Sequence, residues 1–63
     1  MFTVRDVLHS LHPSCSVVIT DLEYLPVEEG PAGGLLDESK YLDSPAVYTE
    51  KDFPYLIMAG VVV

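Results

Sequence analysis

Two histidines and the chain's one cysteine fall at three-residue spacing in the segment HSLHPSC, His9 to Cys15. Imidazole and thiolate are good zinc ligands, and positions i and i+3 of a helix share a face, so His9, His12 and Cys15 could approach one ion. A closed zinc site needs a further ligand and favours sulfur, and here a distant carboxylate would have to serve. The positions have a simpler use. His9 falls on the flank of a helix with Arg5, its i+4 neighbour; His12 stands at the helix end, where a donor complements free carbonyls; Cys15 opens an apolar strand as a small hydrophobe. The reading therefore assigns neither metal nor cofactor, and keeps metal binding through His9, His12 and Cys15 only as an alternative.

A Cys–His nucleophilic pair is the other chemistry these residues could support. It requires an orienting third group, an oxyanion site and a cleft of about 300 Å3 or more, which a chain of 63 residues has little volume to enclose. The paired carboxylates Glu28–Glu29 and Asp37–Glu38 suggest acid–base work or calcium, but calcium loops alternate their oxygen ligands and EEGPAGGLLDE does not. Gly30, Gly33 and Gly34 lack the Lys-Ser/Thr of a phosphate loop, and the adjacent acids repel phosphate. No catalytic residue is assigned, and the expectation is a protein that is not an enzyme.

The elements that would carry these side chains are legible from periodicity. Thr3 followed by Asp6 forms a capping-box-like start, with Phe2 and Val7 at the positions of a hydrophobic staple. Val4, Val7, Leu8 and Leu11 then give one apolar stripe at helical spacing, and Pro13 ends the helix near Leu11 or His12. Val17 to Thr20 are β-branched and apolar on both faces through Ile19, which predicts a central strand. EYLPV is a second extended piece, confined to an edge by Pro26. EEGPAGG reads as a loop, and LLDESKYLDSP as one or two helical turns stopped at Ser44–Pro45. AVYTEKDFPYLIMAGVVV reads as a β-hairpin with arms Ala46–Glu50 and Tyr55–Val63. The sum is one small α+β domain over residues 1–63: an N-terminal helix packed on a mainly antiparallel sheet of about three or four strands, ending in a C-terminal hairpin.

Size and charge narrow the function. A domain this short buries only about 60% of its unfolded surface, and a single cysteine cannot staple it internally. Hydrophobic residues make up 49% of the chain, too many for disorder despite a net charge of −7. Nine of the ten acids lie between Asp21 and Asp52, a field that disfavours direct nucleic-acid binding and suits a basic protein partner. The candidate partner face is Glu28, Glu29, Asp37 and Glu38, the alternative being that these acids only confer solubility. Tyr24, Tyr41, Tyr48 and Tyr55 lie in or beside the acidic half, and tyrosine suits either an interface or a completed core. The start MFTVRDV lacks a secretory signal pattern, and the apolar run Tyr55–Val63 spans nine residues where a membrane helix needs roughly 20, so the expected setting is cytoplasmic, with no membrane partner.

The final arm carries the main functional expectation. Tyr55, Ile57, Ala59, Val61 and Val63 alternate with Leu56, Met58 and Val62, so the arm is apolar on both faces. One helix can cover one face; the other calls for a second copy of the chain. Self-association is therefore expected through Tyr55, Ile57, Met58, Val61 and Val63, giving a homo-oligomer.

In this layout, a helix TVRDVLHSL, a strand VVITDLE, an acidic middle and a strand pair AVYTEKDFPYLIMAGVVV, the chain resembles very short acidic proteins encoded by phages and prophages of Gram-positive bacteria. The resemblance implies a small accessory protein that binds a host or phage protein, and it transfers no catalytic residue.

Overall fold

A computed structural model describes residues 2–60. Helix α1 (Val4–His9) is followed by strand β1 (Ser16–Thr20), strand β2 (Pro26–Pro31), helix α2 (Ala32–Glu38), strand β3 (Ala46–Glu50) and strand β4 (Tyr55–Ala59). The four strands form one sheet in the order β2-β1-β4-β3. β1 pairs antiparallel with β2 and β3 antiparallel with β4, while β1 and β4 run parallel through the middle, from Val17↔Tyr55 to Thr20↔Met58. The α+β architecture and the β3–β4 hairpin read from the sequence are both present; the parallel centre makes the sheet mixed.

Why α1 begins where it does is visible atom by atom. Thr3 Oγ1 accepts from the Asp6 backbone N–H at 3.3 Å, and Asp6 Oδ2 accepts from the Thr3 N–H at 3.0 Å, so aspartate completes the capping box. The next free donors are met from across the fold: Val4 N–H donates to Ser44 O and Arg5 N–H to Leu42 O. The helix stops at His9, a turn earlier than the apolar stripe suggests. Both the backbone N–H and the hydroxyl of Ser10 donate to Val7 O, and Leu11 N–H donates to Leu8 O, which tightens the last turn and closes it.

The segment EEGPAGG is a correction. It is no loop: Glu28–Pro31 ends β2, and Ala32, Gly33 and Gly34 open α2, so that helix starts before LLDESKYLDSP. Two glycines in a first turn cost helix propensity. That cost is offset from outside, because Ala32 N–H donates to Cys15 O and Gly33 N–H to Pro13 O, both at 2.9 Å. The approach is so close that a Cβ on Gly33 would lie 3.1 Å from Pro13 Cβ.

Both helices cover one face of the sheet. Val4 and Leu8 of α1, Ala32 and Leu35 of α2, and Val17, Ile19, Ile57 and Ala59 of the central strands form the core. Val7, Leu11, Cys15, Leu42 and Tyr55 are among the half-buried residues packed around it. On the opposite face, Thr20 and Met58 are still buried, at 1% and 9% exposure, although no helix lies there.

Candidate functional site

Thr20, Met58 and Tyr48 are cross-strand neighbours on β1, β4 and β3, pointing away from the helices. Two aromatic rings meet on this face. Asp21 turns the chain after β1: its Oδ1 accepts from Glu23 N–H at 2.8 Å and Leu25 N–H at 3.1 Å, and its own N–H donates to Leu25 O. Within that turn Tyr24 adopts a left-handed φ of 65°. Its ring meets that of Tyr48, which is the cross-strand neighbour of Met58, with centroids 6.3 Å apart. The Tyr48 hydroxyl donates to Glu50 Oε1 at 2.9 Å, and this bond, ahead of local burial, raises its pKa.

The same turn leaves Leu22, Tyr24 and Leu25 all more than half exposed. Val47 on β3 is exposed, Phe2 stands 72% in solvent, and Phe53, in the β3–β4 turn, reaches 87%. Phe2 therefore does little as a staple; with Val7, Ala46, Val47 and Tyr55 it lines a groove of about 550 Å3 between α1 and β3, with Asp6 and Lys51 also on its walls.

The residues singled out for self-association separate. Ile57 is wholly inside the core and Met58 is only 9% exposed, so neither presents much surface to another molecule; Tyr55 is half-buried on the groove. Val61 and Val63 lie outside the described residues. The face expected to lack a lid carries the contact between the chain's own Tyr24 and Tyr48. Sequence reasoning missed this because the Asp21–Leu25 turn had no recognised form, although the aspartate two and four residues ahead of the N–H groups it binds was the available signal.

The acidic set also divides. Glu28 faces the helices and clasps the end of α2: its carboxylate accepts from the Ser39 hydroxyl and from Lys40 N–H. Glu29, opposite Val18, points to the other face and is exposed, while Asp37 and Glu38 stand exposed in the last turn of α2. These four do not form one flat face, yet all lie at the β2 end of the molecule. Sorting charges by position gives Asp21, Glu23, Glu28, Glu29, Asp37 and Glu38 with Lys40 on the β1–β2–α2 side, net −5. Asp6, Asp43, Glu50 and Asp52 with Arg5 and Lys51 lie on the α1–β3 side, net −2, which together make the −7 of the chain. Arg5 and Asp43 form an exposed ion pair at 2.6 Å.

His9, His12 and Cys15 are not gathered into a ligand set. Among the described residues no group of three or more His, Cys, Asp and Glu could hold a metal ion. His12 Nδ1 accepts from the Ser14 backbone N–H at 3.1 Å and lies 2.7 Å from the Ser14 hydroxyl, an exposed turn that uses the imidazole as a local acceptor. The Cys15 thiol is half-buried, with Ser16 O at 3.8 Å. Asp6 has its pKa held down chiefly by the backbone hydrogen bond from Thr3, with the Thr3 side chain adding to it. No described helix is long and apolar enough to cross a membrane.

The two sheet edges differ in kind. β2 begins and ends with Pro26 and Pro31, which offer no N–H, and carries two glutamates between them. β3, AVYTE, contains no proline. Its first residue is already engaged on the outer side: Ala46 N–H donates to Phe2 O at 2.8 Å, and Thr3 bridges Pro45 in antiparallel sense. Beyond Ala46, no strand among the described residues pairs with its outer side.

Comparison with protein-family models, with curated proteins and with solved structures finds no match to the chain.

Proposed function

We propose that this is a small acidic protein that acts by binding protein, associating with copies of itself and engaging a protein partner, without catalysing a reaction. The observation that carries this reading is the exposure of large apolar side chains. Leu22, Leu25, Val47, Phe2 and Phe53 are each more than half exposed on a chain of 63 residues, and Phe2 and Val47 share one groove, an apolar surface open to another protein. The uneven field supports the second half: a basic surface is drawn to the β2–α2 side, which holds five of the seven net negative charges. Clustered acids of this kind suit competition with nucleic acid for a basic groove. The resemblance in layout to phage and prophage proteins favours a host or phage protein as the partner and a cytoplasmic setting.

A second reading, a structural homo-oligomer whose acids only keep it soluble, is favoured by the clasp at Glu28, where an acid serves the fold. Sedimentation equilibrium over a wide concentration range tests the shared element. A mass rising above the 6.9 kDa of one chain is expected; an unchanged mass at the highest concentration overturns self-association. A salt titration with a basic candidate partner separates the two readings, because binding through the acids weakens as salt rises whereas salt-independent binding does not use them.

A further inference from the structure

The self-association proposed above leaves its surface unassigned, and the geometry points to the β3 edge. We infer that two copies pair through β3 in antiparallel sense about a two-fold axis crossing Val47–Glu50, joining two four-stranded sheets into one. This inference rests on the self-association reading and names its surface.

Three observations converge on this edge and on a second copy as its occupant. The outer side of β3 is taken by the chain itself only at its start, where Ala46 N–H donates to Phe2 O and Thr3 bridges Pro45, and among the described residues no strand pairs with Val47–Glu50 on that side. The rival edge is blocked, because Pro26 and Pro31 remove donors at both ends of β2 and glutamates stand between them. The charge distribution selects like for like: β3 borders the side carrying net −2, so pairing there sends the two net −5 sides to opposite ends of the joined sheet. A strongly basic partner would choose the other end. Antiparallel pairing about this axis also sets Glu50 against Val47 of the second copy instead of its own counterpart, which avoids opposed like charges. Val47 and Phe2, both largely exposed, flank the seam and would be covered by it.

The test matches one charge change on each edge. Thr49→Glu on β3 sets a new glutamate diagonally across the seam from Glu50 of the second copy, twice by symmetry, and should weaken the dimer by about tenfold or more, which corresponds to about 1.4 kcal/mol. Val27→Glu, on exposed β2, should leave the dissociation constant within about twofold, a shift of less than about 0.5 kcal/mol. Equal weakening by the two variants, or none by Thr49→Glu, overturns the β3 assignment while leaving self-association standing; a wild-type chain that stays monomeric overturns both. Cross-linking reads the seam without relying on the glutamate variant. In a Cys15→Ser background, mild oxidation should convert a Val47→Cys/Glu50→Cys variant to covalent dimer faster than a Val27→Cys/Glu29→Cys variant, because Val47 faces Glu50 of the second copy across the axis within disulfide reach. Equal rates from the two edges overturn the assignment.

Discussion

The ring of Tyr24 stands edge-on to that of Tyr48, with planes inclined by 66° and centroids 6.3 Å apart. Each residue belongs to a different local structure, one to a turn and one to an edge strand. Their contact places two half-exposed rings on the helix-free face, where Met58 is 9% exposed in a single copy of the chain.

Within the Asp21–Leu25 turn Tyr24 holds a left-handed backbone at φ 65°, a conformation costing a non-glycine residue about 1–2 kcal/mol. Replacement by alanine loses the ring and keeps the strain; replacement by glycine loses the ring and releases the strain. Urea unfolding should therefore show Tyr24→Gly more stable than Tyr24→Ala by about 1 kcal/mol. Equal stabilities would mean the backbone carries no strain.

Tyr48 donates its phenolic proton to Glu50, and the bond raises its pKa above the ordinary tyrosine value. The raised folded value means that the stabilisation is complete below the unfolded pKa near 10 and is lost as pH climbs through the folded one. In Glu50→Gln, spectrophotometric titration should show one tyrosine ionising at lower pH than in the wild type. An unchanged titration curve would show that the bond does not form in solution.

At the other extreme of pH the cap of α1 responds. The carboxyl of Asp6 is held below its ordinary value by the Thr3 N–H it accepts, so its contribution is present above that value and disappears as pH falls through the folded one. Thr3→Ala removes the reciprocal bond and should cost about 1 kcal/mol at neutral pH. In Asp6→Asn, the loss of stability on acidification should be smaller than in the wild type, measured by circular dichroism across the acid range.

Glu28 and Glu29 are adjacent in sequence and opposite in role. Glu28→Gln weakens the clasp on Ser39 and Lys40 and should destabilise the fold by about 1–2 kcal/mol, whereas Glu29→Gln should lie within about 0.5 kcal/mol of wild type. Thermal unfolding of the pair distinguishes a structural acid from a surface one.

Local signals carried much of this fold. Thr3 and Asp6 announced the helix start, and the β-branched run Val17–Thr20 announced a central strand. Pro26 pointed to an edge, and β2 is the outermost strand beside β1, although it runs from Pro26 to Pro31 and Glu23–Leu25 of the expected EYLPV piece lie in the Asp21 turn. What escaped depends on distant partners. Gly33 and Gly34 are poor helix formers, and they are helical because carbonyls of Pro13 and Cys15 meet the first N–H groups of α2. The division of Glu28 from Glu29 follows from sheet alternation once β2 is known to continue through a stretch that reads as a loop. The contact of Tyr24 with Tyr48 depends on a turn whose aspartate was legible but whose destination was not.

β1 and β3 never touch; β4 lies between them and is the later partner of both. A nascent polypeptide emerged only as far as Glu50 thus holds a β1–β2 ribbon beside an orphan strand, with Val17 and Ile19 bare on one flank. Tertiary structure can close only after Tyr55–Ala59 clears the ribosome, so the interval before that release is the one most exposed to aggregation and to proteases.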